Sequence, residues 1–290
     1  MKTSLKRIHA EDGLELVGLL YEPDQVTKKI LVHVHGMAGN FYENKFLDYI
    51  AETLTKSGVA FFTFNNRGCE MVKDLHKLEN GERKMVRIGN AHEIFEDSKM
   101  DIQAAIDFVK TTGFDEIHLS GHSLGSPKVA YYAAENGNLK SVIFLSPADM
   151  VGLFVADKNF KRDMALARKM IDEGKGDELI PFPVLWDDSQ LSAKTYISLG
   201  SSDSKVAIFS LHDPKDPLTV LSKIRVPTLS LMGMKDDAQL VPIEEALEKI
   251  TKALTNSPKA ESYILGDADH GYNGYEQQLA DELLKWIQKN

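Results

Sequence analysis

The sequence predicts an α/β fold: a mostly parallel sheet flanked by helices, with an N-terminal antiparallel hairpin and an inserted, mainly helical cap. Two observations lead to this prediction. Short apolar runs typical of buried strands alternate with stretches of helical periodicity along most of the chain. That alternation breaks between about residues 150 and 222 and resumes at residue 226. A break of this length is too long for a simple loop in a compact domain.

The first elements are the easiest to assign. Residues 4–10 and 14–21 alternate apolar and polar side chains on either side of Asp12-Gly13. An Asp-Gly turn between two alternating runs predicts a β-hairpin. The nearly continuous apolar run at 30–34 is β-branched and predicts a strand buried on both faces.

The remaining elements follow the same alternation. The charged stretch at 70–87 is expected to form a surface loop. The predicted helices cover about 41–57, 91–111, 127–134, 157–173, 242–255 and the C-terminus, and the predicted strands cover 59–64, 116–120, 139–145, 226–232 and 260–265.

We expect two parts. Residues 1–147 and 225–290 form the core domain, and residues 148–224 form an inserted cap, or lid, over the carboxyl ends of the strands. The alternative for 148–224 is an extra helical layer with no role in the site.

Composition narrows the class of partner. The chain has 290 residues, with 34 basic and 43 acidic side chains and a formal net charge of -9, which argues against nucleic acid. The only cysteine, Cys69, leaves no partner for an internal disulfide. No apolar leader opens the chain and no stretch approaches the roughly 18 apolar residues of a membrane span. A cytoplasmic protein is expected, and a homodimer is left open.

The central motif is Gly121-His122-Ser123-Leu124-Gly125, a G-x-S-x-G pentapeptide. An apolar run precedes it and a small, apolar helical run follows it, so it lies at a strand-to-helix turn. A sharp turn of this kind exposes the serine hydroxyl at the carboxyl edge of a sheet, where it can act as a nucleophile. The pentapeptide alone also occurs by chance, so the prediction depends on finding partners for Ser123.

Two further strand ends supply those partners. The strand at 226–232 is followed by Asp236 and Asp237, and the strand at 260–265 is followed by His270. A serine nucleophile needs a base, and that base needs an acid to orient it. Chain order serine, acid, histidine is the order expected for a nucleophile on this kind of turn. We favour Asp236 over Asp237 because of its spacing from Gly233.

A tetrahedral intermediate also requires two N–H donors. Leu124 follows the nucleophile at the start of a helix, and its N–H is one candidate. The second should come from the loop after the strand at 30–34, with the Met37 N–H preferred. The alternative for this loop is a simple glycine turn.

Taken together, the stretches H-G-M-A-G, F-N-N-R-G, G-H-S-L-G, G-M-K-D and A-D-H-G-Y resemble the loops of the α/β-hydrolase superfamily along nearly the whole chain. The F-N-N-R-G stretch departs from the usual F-D-x-R-G, with Asn65 in place of the aspartate. Within the superfamily the sequence is similar to cap-bearing serine esterases, including monoacylglycerol-lipase-like and cinnamoyl-esterase-like enzymes. Relatives with an aspartate nucleophile, the haloalkane dehalogenases and epoxide hydrolases, are disfavoured by Ser123.

The resemblance implies a serine carboxylesterase that hydrolyses small to medium acyl or aromatic esters through an acyl-enzyme. It implies a small-molecule ester substrate and no cofactor. No metal is expected, since Glu96 stands where a zinc-binding H-E-x-x-H run would have its second histidine. Six residues are candidates for the substrate pocket: Phe41, Phe154, Trp186, Tyr196, Phe209 and His212. The alternative for the four aromatic residues of the cap is that they form its own core, and the alternative for His212 is a surface position.

Several activities share the same triad and stay open at this point. They are thioester hydrolysis, amide or peptide hydrolysis, and acyl transfer, because the cap and not the triad reads the leaving group. A hydrolase-fold protein that only binds its ligand is the alternative from another class.

Overall fold

The computed structural model describes residues 1–290 and contains an eight-stranded sheet and a separate two-stranded hairpin. The strand order in the large sheet is β1-β2-β4-β3-β7-β8-β9-β10. The strands of the sheet are β1 Lys2–His9, β2 Glu15–Glu22, β3 Lys29–Val34, β4 Ala60–Phe64, β7 Glu116–His122, β8 Ser141–Leu145, β9 Thr228–Met232 and β10 Ala260–Ile264.

Only the N-terminal end of the sheet is antiparallel. Strand β2 pairs antiparallel with both β1 and β4, and every pair from β4 through β10 is parallel. Strands β3 and β4 and strands β7 to β9 are almost entirely buried, as continuous apolar runs require when helices cover both faces. The predicted parallel sheet with an antiparallel N-terminal hairpin is confirmed.

Helices lie on both faces of the sheet. Helices α1 and α9 pack against each other and share an apolar core with Leu31 and Phe61 on one face. Helices α2, α3 and α8 pack on the other face. The helices are α1 Phe46–Lys56, α2 Ser98–Thr111, α3 Gly125–Ala133, α4 Met150–Ala156, α5 Phe160–Asp172, α6 Leu185–Asp188, α7 Ala193–Gly200, α8 Ile243–Ala253 and α9 Glu276–Lys289. No helix combines the length and the apolar character that crossing a bilayer requires.

The prediction of a surface loop over 70–87 is wrong. The chain forms an antiparallel hairpin there, β5 Lys73–Glu79 paired with β6 Glu82–Ile88. Asn80 and Gly81 both have positive φ, at +53° and +81°, so they form the two-residue turn that favours a hairpin. The Asn-Gly pair predicts a hairpin turn, but the strands on either side carry mostly charged side chains, which are also typical of a surface loop.

The segment between β8 and β9 contributes no strand to the large sheet. It carries helices α4 to α7, and three of its aromatic residues, Phe154, Tyr196 and Phe209, are buried in the same apolar core as α2, α3 and β8. Phe209 of this segment packs against Phe144 of β8, with ring centroids 5.1 Å apart. The short α6 is a left-handed turn, because three consecutive residues, Leu185 to Asp187, have positive φ.

Candidate active site

The turn at Ser123 is held in an unfavourable backbone conformation. Ser123 has a φ of +53°, in the left-handed region that non-glycine residues seldom adopt. Two glycines allow α3 to pack closely against β7 and β3. A Cβ on Gly121 would lie 2.2 Å from the Gly125 carbonyl oxygen, and a Cβ on Gly125 would lie 2.2 Å from the Val34 carbonyl oxygen. The Ser123 N–H donates to the Leu145 carbonyl of β8 at 3.0 Å, which fixes the turn to the sheet.

The structure pairs His270 with Asp236 and not with Asp237. His270 Nδ1 lies 2.8 Å from Asp236 Oδ1, and the Asp236 side chain is fully buried, whereas Asp237 is exposed. Because a carboxylate accepts, Nδ1 carries the proton in this pair and Nε2 is left as an acceptor.

The carboxyl group of Asp236 is kept ionised by its contacts. Burial by itself raises the pKa of Asp236, but the hydrogen bond and the charge of His270, with smaller contributions from Ser146 and the Ala238 N–H, outweigh burial and lower the pKa below its ordinary value. A buried carboxylate that stays charged stabilises the imidazolium that forms when His270 takes up a proton.

Two residues that the sequence analysis did not single out support this acid. Tyr272 is fully buried, and its hydroxyl donates to the Leu231 carbonyl of β9 at 3.0 Å. The Ser146 hydroxyl, at the end of β8, lies 2.8 Å from the Tyr272 hydroxyl. These contacts connect the ends of β8 and β9 with the loop that carries His270. Tyr272 belongs to the A-D-H-G-Y stretch and could have been found from the sequence, whereas no sequence motif marks Ser146.

His122 links the Ser123 turn to the His270 loop. Its Nε2 lies 2.8 Å from the His270 carbonyl oxygen, and the two rings are 4.9 Å apart. Since a carbonyl only accepts, His122 Nε2 carries the proton. Burial, and then the nearby His270, lower the pKa of His122 to about 3, so the ring stays neutral. His122 therefore has a supporting contact and does not act as a second base.

No hydrogen bond joins Ser123 Oγ to His270 in this structure. Serine–base hydrogen bonds in unliganded enzymes are often long and shorten when substrate binds. The hydrogen bond from His122 to the His270 carbonyl keeps the two loops adjacent, and no protein group is hydrogen-bonded to His270 Nε2.

Two N–H groups near Ser123 have no protein acceptor, those of Met37 and Leu124. Leu124 immediately precedes helix α3, where backbone N–H groups and the helix dipole favour negative charge. The Met37 loop passes directly beside Ser123, because a Cβ on Gly36 would lie 2.8 Å from Ser123 Cβ. Two free donors beside one hydroxyl can bind a developing oxyanion.

The six candidate pocket residues lie in different environments. Phe154 and Tyr196 are buried and pack against each other with ring centroids 5.0 Å apart, and Phe209 is buried against β8. Trp186 is 54% exposed on the left-handed turn. Their role as pocket residues stays a prediction.

The other two candidates lie closer to the loops of the site. Phe41 follows the Met37 loop and lines a cavity of about 240 Å³. His212 contacts Asp149, with Nδ1 2.7 Å from the carboxylate, and Asp149 lies four residues past the end of β8. No group of three His, Cys, Asp or Glu side chains is arranged to hold a metal ion.

A strained serine at a strand-to-helix turn, a histidine–aspartate pair and a parallel sheet of this order define an α/β-hydrolase. The chain belongs to the family described as "Protein of unknown function (DUF1749)", which matches residues 90–289. The matched region includes Ser123, Asp236 and His270 and leaves out the Met37 loop. A search among curated proteins found no significant match.

Solved structures agree on the fold. Est1E from Butyrivibrio proteoclasticus is 20% identical, with a TM-score of 0.64 and 98% of each chain covered. A structure of ferulic acid bound to Est1E has a TM-score of 0.66 at 19% identity, with 98% of each chain covered. The α/β hydrolase GrgF from Penicillium sp. sh18 is 15% identical, with a TM-score of 0.71 and 100% of this chain and 99% of that chain covered. At these identities the likeness establishes the fold.

Proposed function

We propose that this protein is a serine carboxylesterase. The observation that supports the proposal most is the arrangement of three strand-end loops: Ser123 on a strained turn, and His270 hydrogen-bonded to the buried Asp236 at 2.8 Å. A protein that only binds a ligand has no need for a nucleophile, a base and an orienting acid at one edge of a sheet.

The proposed reaction begins with attack of Ser123 Oγ on the ester carbonyl, as His270 Nε2 takes the hydroxyl proton. Asp236 holds the ring and stabilises its charged form. The Met37 and Leu124 N–H groups donate to the oxyanion of the tetrahedral intermediate. His270 then gives the proton to the leaving alcohol, and an acyl-enzyme is left. Water then attacks the acyl-enzyme as His270 takes its proton, and His270 returns that proton to Ser123 Oγ as the acid is released.

We propose small to medium acyl or aromatic esters as the substrate class. The sequence resemblance to cinnamoyl-esterase-like enzymes suggests this class, and the fold is similar to that of an esterase that binds ferulic acid, an aromatic acid. Residues 148–224 are proposed to act as the cap that selects the substrate, since the segment follows β8 directly beyond the site. A cytoplasmic location and a homodimer stay predictions from sequence.

Thioester hydrolysis, amide hydrolysis and acyl transfer use the same groups and differ in the leaving group or the acceptor. They are the alternatives if esters are not turned over. A hydrolase-fold ligand-binding protein is the alternative if Ser123 is unreactive.

The test is hydrolysis of a p-nitrophenyl ester series, from acetate to long acyl chains, by the wild-type protein and by Ser123→Ala. We expect turnover that falls on the order of 10³-fold or more in kcat in the variant, because the remaining site lacks a nucleophile. Melting temperature serves as the control for folding. Equal activity of the two proteins would reject the mechanism, and failure of a fluorophosphonate to label Ser123 would favour the ligand-binding alternative.

A further inference from the structure

A charged pair lies buried behind the Ser123 turn, outside the proposed reaction. Lys128 of α3 and Glu93 of the loop before α2 are both fully buried and form an ion pair between Nζ and Oε1. Burial of two charges is costly, and the pair is often no more stable than two apolar side chains of the same size. Gly68 leaves the space for the carboxylate, since a Cβ there would lie 2.2 Å from Glu93 Oε2. Stability alone therefore does not explain the pair.

The ion pair connects to the turn that follows β4. Lys128 Nζ donates to Asn66 Oδ1 at 3.2 Å, and the Gly68 N–H donates to the same oxygen at 3.0 Å. The Asn66 backbone N–H in turn donates to His35 Nε2 at 3.1 Å. His35 is the residue directly before the Gly36-Met37 loop. A continuous path of hydrogen bonds thus runs from the buried charges to the start of that loop.

This path fixes the protonation of His35. A backbone N–H can only donate, so His35 Nε2 must be an unprotonated acceptor, and the neutral ring carries its proton on Nδ1. His35 Nδ1 lies 2.9 Å from the Gly36 carbonyl oxygen and donates to it. Burial first, and then the positive charge of Lys128, lower the pKa of His35 to about 3, which keeps the ring neutral.

The bond to the Gly36 carbonyl sets the direction of the next N–H. The peptide unit is planar and trans, so its C=O and N–H point in opposite directions. A carbonyl held by His35 Nδ1, and also by the Gly39 N–H at 3.3 Å, directs the Met37 N–H to the other side. That N–H is the one without a protein acceptor beside Ser123.

We propose that the Lys128–Glu93 ion pair is a positioning device for the oxyanion hole, acting through Asn66 and His35 on the Gly36–Met37 peptide. The proposal rests on the proposed function, in which the Met37 N–H binds the oxyanion. None of these four side chains touches the reacting atoms. Their effect is to keep one peptide from rotating, so that a donor is in place before the negative charge forms.

The far end of the loop is held independently. The Phe41 N–H donates to Asn65 Oδ1 at 2.9 Å, and the Glu70 N–H donates to the Gly39 carbonyl at 3.2 Å. Loss of the ion pair should therefore loosen the Gly36–Met37 peptide without releasing the whole loop.

The decisive variant removes both charges, Glu93→Leu with Lys128→Met. A single change would leave a buried charge without a partner and endanger folding, whereas an apolar pair of similar volume keeps the interior packed. We expect an unchanged or higher melting temperature, with kcat about 10- to 100-fold lower and KM within about twofold, since a misdirected donor loses part of what one oxyanion donor contributes. Wild-type kcat in this variant would overturn the proposal.

A second comparison tests the path through His35. An asparagine places an amide nitrogen near the position of Nδ1, so His35→Asn can still donate to the Gly36 carbonyl and should retain more kcat than His35→Leu. His118→Leu is the matched control, because His118 is also a buried histidine and its ring makes one hydrogen bond, to Ser141 Oγ at 2.7 Å. Its kcat should equal that of wild type. Equal losses in His35→Asn and His35→Leu would contradict the role assigned to Nδ1.

A measurement that does not depend on catalysis separates this proposal from the proposed function. In ¹⁵N-histidine-labelled protein, the His35 signals should show a protonated Nδ1 and an unprotonated Nε2, with no titration between pH 5 and 8, and the double variant should lose that fixed pattern. A protonated Nε2 in the wild type would overturn the path from Asn66. If the wild type hydrolyses no ester, the proposed function fails, while the ring signals still decide whether the ion pair fixes His35.

Discussion

The carboxyl edge of the sheet and the insert between β8 and β9 hold their side chains in place by different means. At the sheet edge, Ser123 is fixed by backbone contacts, with glycines packed against carbonyl oxygens and its own N–H bound to β8. In the insert, aromatic rings such as Phe154 and Tyr196 pack on one another. Side-chain hydrogen bonds tie the insert to its surroundings, as where the Phe95 N–H donates to Ser198 Oγ at 2.9 Å.

The two kinds of contact, backbone packing at the sheet edge and side-chain packing in the insert, suit different tasks. Backbone contacts at short loops leave the reacting groups little freedom, which suits groups that must be preorganised before charge develops. Side-chain packing is easier to vary by substitution without a change of fold, which suits the substrate-selecting role proposed for the insert. Three predictions, including one for each region, would sharpen or break this contrast.

The largest effect is expected at the acid. Asp236→Asn should lower kcat on the order of 10³- to 10⁴-fold, because an amide cannot hold the Nδ1-protonated form of His270 in place or stabilise its positive charge. Asp237→Asn, on the exposed neighbour, is the matched control and should change kcat by less than about twofold. Steady-state ester hydrolysis measures both. Equal and mild losses would mean that the acid lies elsewhere.

A large but purely structural effect is expected in the insert. Phe154→Ala removes a fully buried ring and should destabilise the protein by about 3–5 kcal/mol. Because the insert shares its apolar core with the sheet, urea unfolding should remain a single transition at a lower midpoint. Val155→Ala, at a 49% exposed position, should cost less than about 0.5 kcal/mol. Two separate transitions in Phe154→Ala would show an independently folding cap.

A smaller effect is expected on the stability of the fold when the pH is lowered. Burial, with further contributions from nearby positive groups, lowers the pKa of His35 and His122 to about 3 and that of His118 to about 4. Their folded-state pKa values lie below the unfolded value, so the unfolded chain binds more protons between about pH 4 and 6.5. The stability that these neutral rings contribute is complete above about pH 6.5 and is lost as the pH falls towards 4.

Each of these rings should contribute up to about 1.4 kcal/mol per pH unit to that loss. His118→Leu should therefore flatten the pH dependence of the urea unfolding midpoint between pH 6 and 4.5, compared with wild type. His118 and His122 lie on β7, and His35 lies on the loop that follows β3. Equal slopes in the variant and the wild type would contradict the assignment of a neutral buried His118.

The sequence predicted the parts of the molecule that depend on local pattern. Strand-end loops in the order Ser123, Asp236 and His270 could be read from apolar runs followed by polar residues, and the structure places Asp236 and not Asp237 against His270. The positive φ of Ser123 follows from the same strand-to-helix turn. Local pattern also located the N-terminal hairpin and the parallel sheet.

Contacts between distant parts of the chain were not predictable in this way. Ser146 lies 126 positions from Tyr272, and Lys128 lies 62 positions from Asn66, so no spacing in the sequence relates them. Glu93 belongs to the incomplete H-E-x-x-H run that ends at Glu96, and its burial beside Lys128 depends on how the loop after β6 packs. The β5–β6 hairpin was missed because its Asn80-Gly81 turn lies among charged side chains that resemble a solvated loop.

The close packing around Gly121 and Gly125 limits the substitutions that these two positions tolerate. A single methyl group at either position would lie 2.2 Å from a backbone oxygen, that of Gly125 in α3 or that of Val34 in β3. We therefore expect these two positions to tolerate fewer substitutions than the insert, which is proposed to select the substrate. Under that proposal, a change of ester preference would arise in the insert while the turn that carries Ser123 stays unchanged.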